Sequence, residues 1–210
     1  HFIPPHHHKI PELLSDWEKF WHNKTIDVPI LIRIAIGHYQ FETIHPFLDG
    51  NGRIGRLLIT LQLIERNFIN KPVLYLSNYF ENNRQAYFDS LNLVRQKDDL
   101  EQWLKFFLEG TLITAQKGKK TFEDILALRK RYENKIMTLG RKAPRARKLL
   151  LALFSKPVIN VNQASEIVEV NYDTANRLIK DFENLKILEE ITGYSRNRLF
   201  KMTDYVNLFK

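Results

Sequence analysis

The sequence has no cysteine, which excludes a disulfide framework, a thiol nucleophile and any cysteine-ligated zinc or iron–sulfur site. It has no apolar run near the roughly 20 uncharged residues that a membrane span takes, and no amino-terminal pattern of basic, apolar and small residues that would direct secretion. A cytoplasmic protein without a membrane anchor is the expectation. No internal repeat of any period is found. What the 210 residues do contain is 44% hydrophobic and 12% aromatic side chains, enough to bury a core in one domain with a small companion. The chain opens at His1 with no initiator methionine, in what reads as the middle of a loop, so a missing amino-terminal part is expected.

The net charge of +8 suggests an acidic partner, but its position matters more than its sum. Residues 1–116 carry 12 basic and 13 acidic side chains, residues 117–148 carry 12 and 3, and residues 149–210 carry 8 and 8. All the excess sits in one connecting segment, which reads as a solvated helix with basic flanks.

Apolar residues recur at Ile30, Leu31, Ile34, Ala35, His38 and Phe41, the spacing of one helical face, and Pro46 should end that helix near Ile44. A second helix is expected over 54–68, directly after Gly50-Asn51-Gly52-Arg53, stopping between Asn67 and Pro72. Further helices are expected over 79–95, 100–114 and 122–139. After Pro144 the spacing predicts helices over 145–154, 161–170 and 172–185. Two strands follow, 187–191 and 199–202, around the turn Thr192-Gly193-Tyr194-Ser195. Three helices and a hairpin is the element order of a winged helix-turn-helix. The expected division is 1–116, a basic helical linker 117–144, and 145–210.

The chemistry is concentrated in His45-Pro46-Phe47-Leu48-Asp49-Gly50-Asn51-Gly52-Arg53-Ile54-Gly55-Arg56. Gly50 and Gly52 allow backbone angles that let successive amides point at one place, and the string feeds a helix amino terminus, where free N–H groups favour an anion. Arg53 and Arg56 lie on neighbouring positions of the first helical turn and suit a polyphosphate. Asp49 is a hard oxygen ligand at the mouth of the same loop, of the kind that binds Mg²⁺ together with substrate phosphates. The His45 imidazole can accept a proton near neutral pH. The string matches neither the P-loop nor the dinucleotide GxGxxG pattern, because its glycines follow a helix.

With every fixed position present, the string resembles the signature of the Fic family, His-Pro-Phe-x-(Asp/Glu)-Gly-Asn-Gly-Arg-x-x-Arg. The resemblance extends to Phe2-Ile3-Pro4-Pro5 through Leu14, which looks like the family's flap, and to Tyr75 through Phe88, which looks like its nucleotide-side segment. It implies a mainly α fold: an all-helical core with a short β-hairpin flap over about 1–11, and a small carboxy-terminal winged helix-turn-helix domain. It implies transfer of AMP from ATP to a Ser, Thr or Tyr hydroxyl of a target protein. His45 would be the base, Asp49 would hold Mg²⁺, Gly50, Asn51 and Gly52 would form the anion-binding turn, and Arg53 and Arg56 would hold phosphates. Tyr79, Asn82, Asn83 and Tyr87 would lie on the adenine side, and Phe2, Ile3, Pro4 and Pro5 would hold the target by strand addition. Phe47 is expected as a buried anchor, and Pro11 as the close of the flap before a helix.

Other readings share these residues. His6-His7-His8 is not expected to hold a metal, since three adjacent residues in an extended segment cannot face one ion. Ser77 to Asn82 matches by letter the family's inhibitory pattern (Ser/Thr)-x-x-x-Glu-(Gly/Asn), but falls in the nucleotide-side segment. An inhibitory helix is therefore expected upstream of residue 1 if the protein has one. A winged helix could bind DNA through 172–185 with Arg196 and Arg198 on phosphate, yet the zero net charge of residues 149–210 gives little counterion release, and protein docking or a homodimer is equally compatible. Transfer of UMP, phosphocholine or phosphate, or removal of AMP, is the remaining alternative.

Overall fold

A computed structural model describes residues 2–71, 73–194 and 196–209. Pro72 and Ser195, expected at a helix stop and in the hairpin turn, lie outside the described residues. The chain divides into two compact units, His1–Gly118 and Lys119–Lys210. No helix among the described residues is long and apolar enough to cross a membrane.

The first unit contains α1 (Ile10–His22), α2 (Ile30–Ile44), α3 (Asn51–Glu65), α4 (Leu76–Asn82), α5 (Arg84–Lys97) and the start of α6 (Leu100–Met137). The fold is mainly α, as expected. Ile34 and Ala35 of α2, Ile59 and Leu63 of α3, Leu91 of α5 and Trp103 and Phe107 of α6 form one buried cluster. All three tryptophans place their rings so that the indole N–H finds an acceptor: Trp17 donates to Gly37 O at 2.7 Å, Trp21 to Glu65 Oε2 at 2.6 Å, and Trp103 to Ala35 O at 2.9 Å. The Trp17 and Trp103 bonds brace α2, the element that ends at the signature string, and the Trp21 bond ties α1 to α3.

Several boundaries differ from the sequence reading. The helix expected over 79–95 is two helices, broken at Asn83. The pieces expected over 100–114 and 122–139 are one continuous helix, α6. Residues 2–6 form no strand among the described residues, so the hairpin expected over 1–11 is not formed there. A short 3-10 turn follows at His7–Lys9, and Pro11 lies in the first turn of α1 instead of before a helix. Proline suits that position because its missing N–H would have no helical partner.

The second unit holds the rest of α6, then α7 (Ala143–Leu153), β1 (Val158–Asn160), α8 (Val161–Val168), α9 (Tyr172–Asn184), β2 (Glu189–Glu190), β3 (Leu199–Lys201) and α10 (Thr203–Asn207). The antiparallel sheet has the order β1-β3-β2, with Ile159 and Glu190 both opposite Phe200. β1 and α10 had no counterpart in the sequence reading. Asn160 and Gln163 form a reciprocal capping box that starts α8. The segment read as a basic linker packs instead of linking: Leu128, Tyr132 and Ile136 belong to this unit's core with Leu149, Leu178 and Phe182. Some of its basic side chains bond internally, Lys135 to Leu185 O at 2.7 Å and Lys142 to Asp181 at 2.6 Å.

Candidate active site

α2 ends at His45, which takes the left-handed conformation (φ 51°, ψ 58°) and donates its N–H to Phe41 O at 3.0 Å. A residue with a Cβ pays roughly 1 kcal/mol for that conformation, and glycine or asparagine is the usual occupant of such a helix end. Five other non-glycine residues among those described share this conformation, and His45 is the one that opens the signature string. His45 is half-buried, and the Phe2 ring meets its imidazole edge-on at 6.2 Å.

The loop is held from within by Asn51. This side chain is buried, accepts from Phe47 N–H at 2.9 Å and donates to Phe47 O at 2.6 Å. Its amide is therefore committed to the loop, and only its backbone is free to face an anion. Phe47, expected as the buried anchor, is 47% exposed, and Leu48 points into solvent. The anchoring falls to a polar side chain because the loop's need is hydrogen-bonded closure, which a phenyl ring cannot supply.

α3 begins three residues earlier than expected, so Asn51, Gly52 and Arg53 form its first turn. Gly50 precedes it at φ 84°, an angle only glycine takes freely, and no side chain caps the helix start. The first N–H groups thus stay available to a ligand at the positive end of the helix dipole. Arg53 Nη2 bonds Asp49 Oδ2 at 3.1 Å, with both side chains largely in solvent. An exposed pair of this kind is worth at most about 1 kcal/mol and can open toward phosphate and cation. The Arg56 guanidinium lies over Gly52, 3.1 Å from where a Cβ would stand.

Beneath this surface lies a layer the sequence reading did not assign. A Cβ on Gly55 would fall 2.5 Å from Glu42 Oε1 and 3.1 Å from His38 Cε1, so the glycine lets α3 close onto α2. His38 Nε2 shares a 2.9 Å hydrogen bond with the Tyr87 hydroxyl and lies 4.0 Å from Glu42 Oε1, while His38 Nδ1 and Glu42 Oε1 have no hydrogen-bond partner among the described residues. Burial pushes His38 down to about 4 and raises Glu42, the latter opposed by Arg56 and Arg95. Burial also raises the Tyr87 phenol. Tyr87, expected on the adenine side, is thus a core residue stacked on Phe80 at 4.8 Å. Asn82 and Asn83 are exposed and Tyr79 is half-buried on α4, so only these three of the four stand at the surface. The one signal for Glu42 was that it is the only acidic residue of α2, three residues before His45.

Of the remaining expected residues, Ile3 and Pro4 are exposed and Phe2 and Pro5 half-buried. The ligand atoms of His6, His7 and His8 lie within 4.8 Å of one another, because the turn there is 3-10 and not extended. The steric objection to a shared ion therefore fails. Glu81, in the stretch resembling an inhibitory pattern, is exposed on α4.

A left-handed histidine at a helix end, a loop closed by Asn51, and an uncapped helix start with two arginines and a carboxylate fall within one stretch of twelve residues. Residues 1–63 match the model of the Fic/DOC family, and the signature string lies inside that match. The chain is 38% identical over 86 residues to a probable protein adenylyltransferase of Aquifex aeolicus, covering 40% of this chain and 26% of that protein. It is 29% identical over 117 residues to protein adenylyltransferase fic-1 of Caenorhabditis elegans, covering 55% and 22% respectively. The chain thus spans about a quarter of the length of these curated relatives. Among solved structures, a Fic family protein from Desulfovibrio desulfuricans G20 superposes with a TM-score of 0.51 at 20% identity, over 95% of this chain and 56% of that one, a likeness of fold.

Proposed function

We propose that the first unit is a protein adenylyltransferase that moves AMP from ATP to a Ser, Thr or Tyr hydroxyl of a target protein. The observation that carries this reading is the strained His45 at the head of a loop that delivers an uncapped helix start and two arginines to one place. The target oxygen attacks the α-phosphorus, a new P–O bond forms, and the bond to pyrophosphate breaks. His45 takes the hydroxyl proton. The Asn51, Gly52 and Arg53 amides and the Arg53 and Arg56 guanidiniums hold the phosphate oxygens, and positioning with charge neutralisation supplies most of the rate. One exposed carboxylate at the loop mouth fits a cation that is bound mainly through substrate phosphates, so Asp49 would hold Mg²⁺, which neutralises phosphate charge when bound.

The names of the relatives support AMP as the transferred group over UMP, phosphocholine or phosphate. The flap residues Phe2 to Pro5 would hold the target and Tyr79, Asn82 and Asn83 the adenine side. A cytoplasmic setting suits this chemistry. The second unit, read as a winged helix, serves protein docking or dimerisation better than DNA: Arg198 is engaged with Asn176 at 2.9 Å and lies over the Phe200 ring, while residues 149–210 carry 8 basic and 8 acidic side chains.

Incubation with ATP labelled at the α- or γ-phosphate tests the reading. Retention of the α label on protein is expected, and His45→Ala should lower it by about 10²- to 10⁴-fold. Retention of only the γ label, or an unchanged rate in the variant, would overturn it.

A further inference from the structure

The end of α2 has a defect that the signature string itself creates. In a continuing helix the Glu42 carbonyl would accept from the residue four positions on, but that residue is Pro46, which has no N–H. Arg95, on α5, supplies the donor. Its Nη2 reaches Glu42 O at 3.4 Å and its Nε reaches Thr43 Oγ1 at 3.4 Å, while Nη1 bonds Asn92 at 3.3 Å. The same guanidinium lies over the Phe2 ring, 3.7 Å from its centroid. Phe2 in turn meets the His45 imidazole edge-on.

We infer that Arg95 is a positioning residue: it ties the amino-terminal segment at Phe2 to the helix end that carries His45. One planar group does both tasks, since guanidinium can donate from its edge while its face covers an aromatic ring. A lysine ammonium can do one or the other. The consequence is that the segment proposed to hold the target and the group proposed to deprotonate it are fixed to each other through a residue 50 positions downstream of the base. No phosphate contact is needed for this: among the described residues the hydrogen bonds and ring contact of Arg95 go to the helix end, its own helix and Phe2.

The role of Arg95 in target alignment rests on the adenylyltransferase reading, but its positional role does not. The test therefore uses two measurements on the full chain with Arg95→Ala, Arg95→Lys, Phe2→Leu and Phe2→Trp. By NMR, Phe2→Leu should remove the ring-current contribution to the His45 imidazole signals. Arg95→Ala should move those signals the same way although Phe2 is still present, with Arg95→Lys intermediate and Phe2→Trp retaining the effect. In AMP transfer, Arg95→Ala and Phe2→Leu should each lower kcat/KM for target on the order of ten- to a hundredfold, with ATP affinity by calorimetry unchanged. His45 signals that match wild type in Arg95→Ala would overturn the inference, as would a parallel loss of ATP affinity. Should Arg95→Ala not fold, the same criteria apply to Arg95→Lys. Wild-type protein that transfers no AMP would refute the proposed function and leave the NMR comparison to decide the positioning.

Discussion

The two units bury different chemistry. Among the described residues, every buried polar or charged side chain other than a phenol, from Arg33 to Thr111, lies in the first unit. The second unit's core is apolar apart from Tyr132, whose hydroxyl donates to Asp204 at 2.9 Å. The buried side-chain atoms without a protein partner, such as His38 Nδ1 and Glu42 Oε1, also fall in the first unit. Each such atom costs on the order of 1–3 kcal/mol. A core that accepts this cost beneath the proposed anion cradle is consistent with being shaped by that site, whereas the second core is almost wholly apolar.

The largest test of this contrast is acid sensitivity. His38 is held down to about 4 by burial, while the unfolded chain binds that proton near 6.5. Between these values the unfolded state carries more protons, so this contribution to the first unit's stability is present above 6.5 and lost as pH falls toward 4, by ~3 kcal/mol in full. Glu42 acts in the opposite sense: its raised value means that stability is lost as pH rises above the ordinary carboxyl range. Hydrogen exchange at pH 7 and pH 5 should therefore show protection falling in the first unit more than in the second. His38→Gln should flatten that acid slope, and Glu42→Gln should steepen it. Equal loss in both units would refute the contrast.

A smaller effect separates two helical glycines. Gly55→Ala drives a methyl to within 2.5 Å of Glu42 Oε1 in a packed layer, and should destabilise the protein by about 1–3 kcal/mol. Gly118→Ala meets nothing within 4 Å on α6 and should stabilise by up to about 1 kcal/mol through helix propensity. Thermal unfolding of both variants decides it; shifts of the same sign would mean that the closeness of α3 to α2 is not what fixes Gly55.

How much of this was legible in the letters follows from what kind of interaction each feature uses. Helical periodicity gave α2, α3 and α9 within a few residues because each buries one continuous apolar face. The signature string could be read as a candidate anion site because glycine, arginine and aspartate act locally through backbone angles and charge. Asn51 was read for its backbone while its side chain does the anchoring, and Phe47 was misjudged because hydrophobicity alone says nothing about which side of a loop faces the core. Tyr87, Glu42 and Arg95 act through partners 49, 13 and 53 positions away, namely His38, Gly55 and Glu42. No local spacing carries such pairings. The continuity of α6 was missed because its solvated middle is polar on all sides and breaks the apolar period that marks its ends.

The smallest expected effect on stability distinguishes two exposed ion pairs that look alike. Asp49–Arg53 lies at 3.1 Å in the first unit and Lys148–Glu169 at 2.6 Å in the second, all four side chains at least half in solvent. Solvent screening weakens both pairs, so Asp49→Asn and Glu169→Gln should each shift Tm only slightly. Their consequences for turnover should diverge. Asp49→Asn removes the hard anionic ligand at the loop mouth and should slow AMP transfer on the order of 10²-fold, comparable to losing one group that stabilises developing charge. Glu169→Gln should leave the rate within twofold of wild type. Paired measurements of Tm and transfer rate read both quantities on the same samples. A rate that falls equally in the two variants would mean that the motif carboxylate has no more chemical weight than a surface charge on the second unit.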